Sequence, residues 1–180
     1  MTRRTFARLS ACIASAAAAP ALLGGGVAGA TSQELGSAAV PDAAKLQSEL
    51  LLDLVFEKGP ASSVGSVGVN RIVVPVSGGS FEGPKLKGTI VGPSGDWILA
   101  RPDGSSLLEL RMVLQTDDSQ KILMTCRGIA YAQPGGALYA RILPMFETGA
   151  TKYAWLNDIV AVGVYRPMPE KVAYRVHQIL

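Results

Sequence analysis

From residue 50 onward, apolar side chains recur at every second position in short runs, and each run ends in turn residues. A period of two is the mark of a strand with one buried face. The clearest case is "SLLELRMVLQT" (106–116), where Leu108, Leu110, Met112 and Leu114 share one face and Glu109, Arg111 and Gln115 the other. "LLLDLVFEK" (50–58) alternates and stops at Gly59-Pro60, and "RIVVPVSGG" (71–79) puts Ile72, Val74 and Val76 together. "KLKGTIVGPSGDWILARPDG" reads as two strands joined by a turn at Gly92-Pro93-Ser94-Gly95 and closed by Pro102-Asp103-Gly104. Asp117-Asp118-Ser119 turns the chain into a strand over 121–131, and further strands are expected over 137–148, 153–166 and 171–179. No run after residue 60 keeps a helical period; only a short piece within 38–52 suits a helix. The pattern predicts an all-β, single-domain antiparallel fold, either a sandwich or a closed barrel. A β-barrel of about 8–10 strands is preferred, because closure removes the edges of long twisting strands.

The first thirty residues have a different character. A basic start, "MTRRTFARLS", precedes the uncharged, alanine-rich run "ACIASAAAAPALLGGGVAGA", which ends in Ala28-Gly29-Ala30. That layout is a cleavable export signal, with Thr31 as the expected first mature residue. Weak hydrophobicity, Pro20 and the Gly24-Gly25-Gly26 break argue against a membrane span. Arg3-Arg4 followed by Phe6 matches the twin-arginine pattern, which serves proteins exported already folded. Cys12 has the preceding residues of a lipid-modified cysteine, but the apolar run continues past it, so a lipoprotein is the lesser reading. The expected organisation is a signal peptide at 1–30, a flexible segment at 31–47 and the barrel at 48–180, in a periplasmic or secreted protein without a lasting membrane anchor.

The leader also changes the charge picture. Three of the 17 basic residues (Arg3, Arg4, Arg8) lie in it, leaving 14 basic residues against 14 acidic ones. The basic pI of about 9.0 therefore reflects the leader and gives no ground for a nucleic-acid partner. Cys126 alone remains after cleavage, so an internal disulfide is excluded, and a buried, inert thiol is expected. His177, the single histidine, has no His or Cys at ligand spacing, which argues against a metal site and against a Ser-His-Asp triad. Phosphate-loop, dinucleotide and nucleophile-elbow motifs are missing, and no cofactor is expected.

Carboxylates, arginines and tyrosines remain as candidate chemistry. A carboxylic acid in an apolar cavity has its pKa raised toward neutrality, and an arginine beside it can hold an oxyanion. Glu147, beside Phe146, with Arg127 on a neighbouring strand, suits that arrangement. In-strand charges such as Glu109, Arg111, Arg127 and Arg141 have a plainer reading as a solvated outer face. In "PMFETGATKYAWLND" (144–158), Gly149 bends the chain, and a strand resuming at Tyr153 puts Tyr153, Trp155 and Asn157 on one face. That hairpin is either a pocket rim or simple cross-strand packing.

"RIVVPVSGGSFEGPKLKGTI", "DWILARPDG" with "LELRMVLQTDD", and "PMFETGATKYAWLND" with "AVGV" together resemble domain-of-unknown-function family 3237, also called uncharacterised protein family 0311. The resemblance spans residues 48–178 and implies a compact antiparallel β-barrel without implying an activity. Among the matching positions, Glu82, Arg127, Glu147, Trp155 and Asn157 are poorly explained as turn formers. Glu147 and Arg127 are the catalytic candidates; Glu82, Asp96, Trp97, Glu109, Phe146, Tyr153, Trp155 and Asn157 are the ligand-binding ones. Two functions stay open. One is a cofactor-free acid–base enzyme (isomerase, cyclase or lyase) acting on a small organic metabolite. The other is a non-catalytic small-ligand-binding or structural barrel. Self-association as a homo-oligomer is compatible with either.

Overall fold

Leu108, Leu110, Met112 and Leu114 do point to one side, and that side is the inside of a closed barrel. The computed structural model describes residues 45–65 and 68–180. The leader and the segment up to residue 44 lie outside the described residues; of the piece within 38–52 that suits a helix, the described part holds no helix, and residues 48–52 are strand. The strands are β1 (Ser48–Lys58), β2 (Ser62–Gly65), β3 (Asn70–Glu82), β4 (Lys87–Ala100), β5 (Ser106–Thr116), β6 (Lys121–Ala132), β7 (Leu138–Glu147), β8 (Ala161–Arg166) and β9 (Val172–Ile179). From β3 to β9 each strand pairs antiparallel with the next, and β1 pairs with both β9 and β3, which closes eight strands into a ring. The short β2 stands outside the ring, paired with the first residues of β3 (Ser62 opposite Val73).

Alternation fills the interior. Leu52, Leu54 and Phe56 of β1 meet Met112 and Leu114 of β5, Ile122 and Met124 of β6, Ile142 of β7 and Val176 of β9 in one buried cluster. Each such side chain, fully withdrawn from water, contributes about 1.5–3 kcal/mol. Where strands approach most closely the chain uses glycine. A Cβ on Gly83 would lie 2.0 Å from the Leu51 carbonyl oxygen, and one on Gly88 2.0 Å from that of Gln115.

Two expectations need correction. Residues 92–95 do not turn the chain, because β4 runs unbroken from Lys87 to Ala100. Val91 faces Val113 and Gly95 faces Arg111, so three residues of β4 stand opposite one of β5 in a wide bulge. Ser94 holds the bulge together: its hydroxyl donates to the Val91 carbonyl (2.7 Å) and accepts from the Val113 N–H (3.0 Å). The missing ladder bonds are thereby replaced, and Pro93 has no N–H to leave unpaired.

The strand expected from Tyr153 is a 3₁₀ helix over Thr151–Asp158, and β8 begins only at Ala161. Side chains three apart eclipse in a 3₁₀ helix, and Tyr153 and Leu156 are both buried. Asn157 explains the bend before the helix. Its side-chain oxygen accepts from the Thr148 N–H (2.8 Å) and its amide donates to the Thr148 carbonyl (3.0 Å).

The barrel's two ends therefore differ. At one end Phe81, Leu86, Phe146, Tyr153 and Leu156 join the core as a stopper. A polar tie fastens it: Asp118 accepts hydrogen bonds from Thr116 (2.5 Å), Tyr153 (2.9 Å) and Lys152 (2.7 Å). Lys152 foremost, then Thr116, holds the Asp118 carboxyl far below the usual carboxylate range. A group depressed in this way stabilises the fold above the ordinary carboxylate pKa and loses that contribution as pH falls below it. Asp118→Ala should therefore lower the melting temperature at pH 7. The gap from wild type should shrink steadily on acidification below about pH 4, as thermal melts across pH would record.

Candidate functional site

The other end of the barrel is open. There the strand ends enclose a cavity of about 250 Å³ whose wall is mostly apolar, with Val74, Val76, Leu108 and Ala140 among its lining. Phe56, Tyr174 and Tyr165 make one side of it aromatic: Phe56 stacks on Tyr174 (6.5 Å between ring centroids) and Tyr165 meets Tyr174 edge-on (5.8 Å). Lys58 and Lys171 are the two cations of the lining, and Ser106 adds a hydroxyl.

One carboxyl group lies inside. Asp96 falls on the inward row of β4, between Val74 on β3 and Leu110 on β5. Burial raises its pKa to about 6; the Glu109 N–H, which donates to Oδ1 at 3.1 Å, and the charge of Lys58 pull the other way, while the Glu109 charge adds to the rise. Its neighbours respond to it. Burial first, and then the Asp96 charge, pushes both the Cys126 thiol and the Tyr174 hydroxyl well above their ordinary values. Both stay protonated at neutral pH. The pocket thus holds one acid that changes state near neutrality inside an apolar wall, which is the environment a general acid–base needs.

The expected site residues divide sharply. Asp96 is the one that lines this pocket. Trp97, next in the chain, faces outward, 37% exposed, with the Arg111 guanidinium 5.7 Å from its ring. Glu109 also faces outward and pairs with Arg71 at 3.2 Å. Arg127 and Glu147 are exposed and lie apart. Arg127 stands beside Glu109 on the outer face, and Glu147 opposite Leu123 at the stoppered end. Glu82 is exposed at the end of β3. Phe146 and Tyr153 are buried in the stopper, and Trp155 packs against it with the Lys85 ammonium 5.3 Å from its ring. Asn157 is engaged by the Thr148 backbone. The paired Glu147–Arg127 arrangement is therefore not formed, since both side chains sit on outward rows of their strands.

Lys58, Tyr165 and Lys171 join the site without a mark in the sequence pattern, and Tyr174 joins with only a weak one. A signal for Tyr174 exists in the alternation of β9, which places it on the same row as Val176, but a tyrosine on an inward row is ordinary core on most barrels. Among the described residues no three His, Cys, Asp or Glu side chains group to hold a metal ion.

Known proteins bear on this geometry in two ways. Residues 46–179 match the family model described as protein of unknown function DUF3237. A UPF0311 protein of Rhodopseudomonas palustris is 26% identical over 149 residues, covering 75% of this chain and 97% of that protein. A crystal structure of a beta-barrel like protein from Acinetobacter baumannii superposes with a TM-score of 0.71 at 28% identity, covering 76% of this chain and 97% of its own. From Penicillium herquei, the hydroalkoxylation enzyme phnH is 29% identical over 117 residues, covering 64% of this chain and 71% of that enzyme. A crystal structure of an enzyme from the same fungus superposes with a TM-score of 0.61 at 28% identity, covering 81% of this chain and all (100%) of its own. With the family model spanning nearly all the described residues, this chain belongs to the DUF3237 family of β-barrel proteins.

Proposed function

We propose that this protein is an enzyme that moves a proton within a small, largely apolar organic molecule held inside the barrel, with Asp96 as the proton carrier. The observation that carries the reading is a lone carboxyl on an apolar wall with its pKa raised to about 6. Such a group populates both its acid and its base form near neutral pH, as a catalyst that must give and then regain a proton requires.

The name of the Penicillium relative suggests the reaction class. Hydroalkoxylation adds an O–H across a carbon–carbon double bond. In this site the Asp96 carboxylic acid gives its proton to one alkene carbon, and the π bond breaks as the C–H bond forms. The hydroxyl oxygen of the same molecule bonds to the other carbon, and its proton returns to the Asp96 carboxylate. Within one molecule this is a cyclisation with no net redox change. A water-excluding wall protects the cationic carbon from competing hydration. We place the enzyme outside the cytoplasm, on the strength of the twin-arginine pattern and the Ala28-Gly29-Ala30 cleavage pattern in the leader.

The mostly apolar wall also favours a second reading, a carrier that binds without reacting. Turnover in D2O separates the two. Unsaturated alcohols incubated with the mature protein and followed by NMR should cyclise, with one deuterium delivered to carbon per turnover by the exchanged Asp96 carboxyl. Alkenols that bind in the pocket and are recovered unchanged would establish the carrier instead.

A further inference from the structure

We propose that the mouth of the barrel selects an organic anion, with Lys58 receiving a carboxylate or similar anionic oxygen while the apolar body of the ligand enters toward Asp96. The inference rests on the pocket reading above and names the class of molecule that the pocket takes.

Lys58 ends β1, on from Leu52, Leu54 and Phe56 of the inward row; it sits opposite Val76 and lines the cavity. Lys171 lines the same mouth from the turn before β9, but its ammonium is already held by Glu57 at 2.8 Å. None of the ion pairs among the described residues includes Lys58. The acidic group that senses Lys58 is Asp96, deeper in the pocket. One cation at the mouth is thus neutralised by the protein itself and the other is left for something else.

The wall between Lys58 and Asp96 sets the orientation. Val74, Val76, Leu108 and Ala140 offer no partner for a charge; Ser106, Tyr165 and Tyr174 add only neutral hydroxyls, and Lys58 and Lys171 are the cations of the lining. An anion driven past them would lose its water and meet a second acidic group. At the mouth it keeps part of its hydration and gains Lys58. Charged end outward and apolar body inward is the arrangement that satisfies every group. The cavity, about 250 Å³, is small for a drug-sized ligand, which limits the body to one ring or a short chain.

Titration calorimetry of the mature protein with octanoate, 1-octanol and octylamine tests this directly. Wild type should bind octanoate about 2- to 5-fold more tightly than 1-octanol, the gain expected from one exposed ion pair, and octylamine most weakly. Lys58→Met keeps the stem and removes the charge, so it should abolish the preference for octanoate over octanol. Equal binding of octanoate and octanol by wild type, or a preference that survives Lys58→Met, overturns the inference but leaves the pocket standing. Failure of all three to bind at millimolar concentration overturns the pocket along with it. An octanoate preference in a protein that turns over no alkenol would retain the anion site and refute the catalytic reading alone.

Discussion

Asp96→Asn should lose at least about a hundredfold in turnover and gain stability at the same time. The first effect follows from the amide's inability to give up and regain a proton at neutral pH, general acid–base groups being worth about 10²–10⁴-fold. The second follows from linkage. In the unfolded chain Asp96 ionises at the ordinary value of 3.8, and in the barrel only near 6. Between those values the folded state holds the extra proton, so wild type loses stability as pH rises through that window, reaching a penalty of up to about 3 kcal/mol above it. The variant's uncharged amide carries no such penalty, and its side-chain oxygen still accepts from the Glu109 N–H. Chemical denaturation of both proteins from pH 4 to pH 8 should show curves that nearly coincide at the acid end, diverge as pH rises from about 4 to about 6 and keep a constant gap above that, the variant being the more stable. A variant less stable than wild type at pH 8 would mean that the carboxylate is satisfied in the folded state and is not held there against its solvation.

The stopper should behave in the opposite way. Leu156 is fully buried in the 3₁₀ helix, packed in the core with Phe146 and Tyr153. Leu156→Ala should cost about 2–5 kcal/mol, the usual range for removing a buried leucine and leaving a cavity. Ligand binding by the protein that remains folded should be unaffected, because Leu156 is absent from the lining of the pocket. Glu147→Gln, a few residues earlier, should change stability by no more than about 0.5 kcal/mol and leave turnover intact, since its side chain is exposed and touches no part of the pocket. Denaturation midpoints, a ligand titration of Leu156→Ala and an activity assay of Glu147→Gln check these outcomes. A large loss of turnover in Glu147→Gln would return the site to the stoppered end.

These contrasts explain how much can be read from the chain. Strand periodicity is a local property, and it marks β3, β5, β6, β7 and β9 well because each has one face in the core. The bulge in β4 is hidden because Gly92-Pro93-Ser94-Gly95 has the composition of a turn. What keeps the strand running is a hydroxyl reaching across to Val113, a partner set by tertiary structure. The 3₁₀ helix is hidden because Tyr153, Trp155 and Asn157 also satisfy a period of two. The i, i+3 pair Tyr153 and Leu156 decides the matter only once there is a barrel end to close.

The site is legible at one residue. "PMFETGATKYAWLND" stands out because aromatic and polar side chains crowd into a short stretch, and that crowding builds a stopper and its ties. The pocket is assembled the other way, from one or two residues of each of eight strands and one of a connecting turn, each unremarkable in its own segment. Asp96 reads as a residue beside a turn, and only the continuity of β4 puts it on an inward row opposite Val74 and Leu110. Lys58 reads as the polar end of a strand. Neither gains meaning until closure of the barrel brings β1, β4 and β9 around one cavity.

The most direct measurement is an NMR titration of the Asp96 side-chain carboxyl in the mature protein, assigned by comparison with Asp96→Asn. A midpoint near 6, as burial in the apolar pocket requires, supports a carboxyl poised to exchange protons at neutral pH. A midpoint at or below the ordinary 3.8 would mean a well-solvated carboxylate, and Asp96 would not be the proton carrier of this barrel.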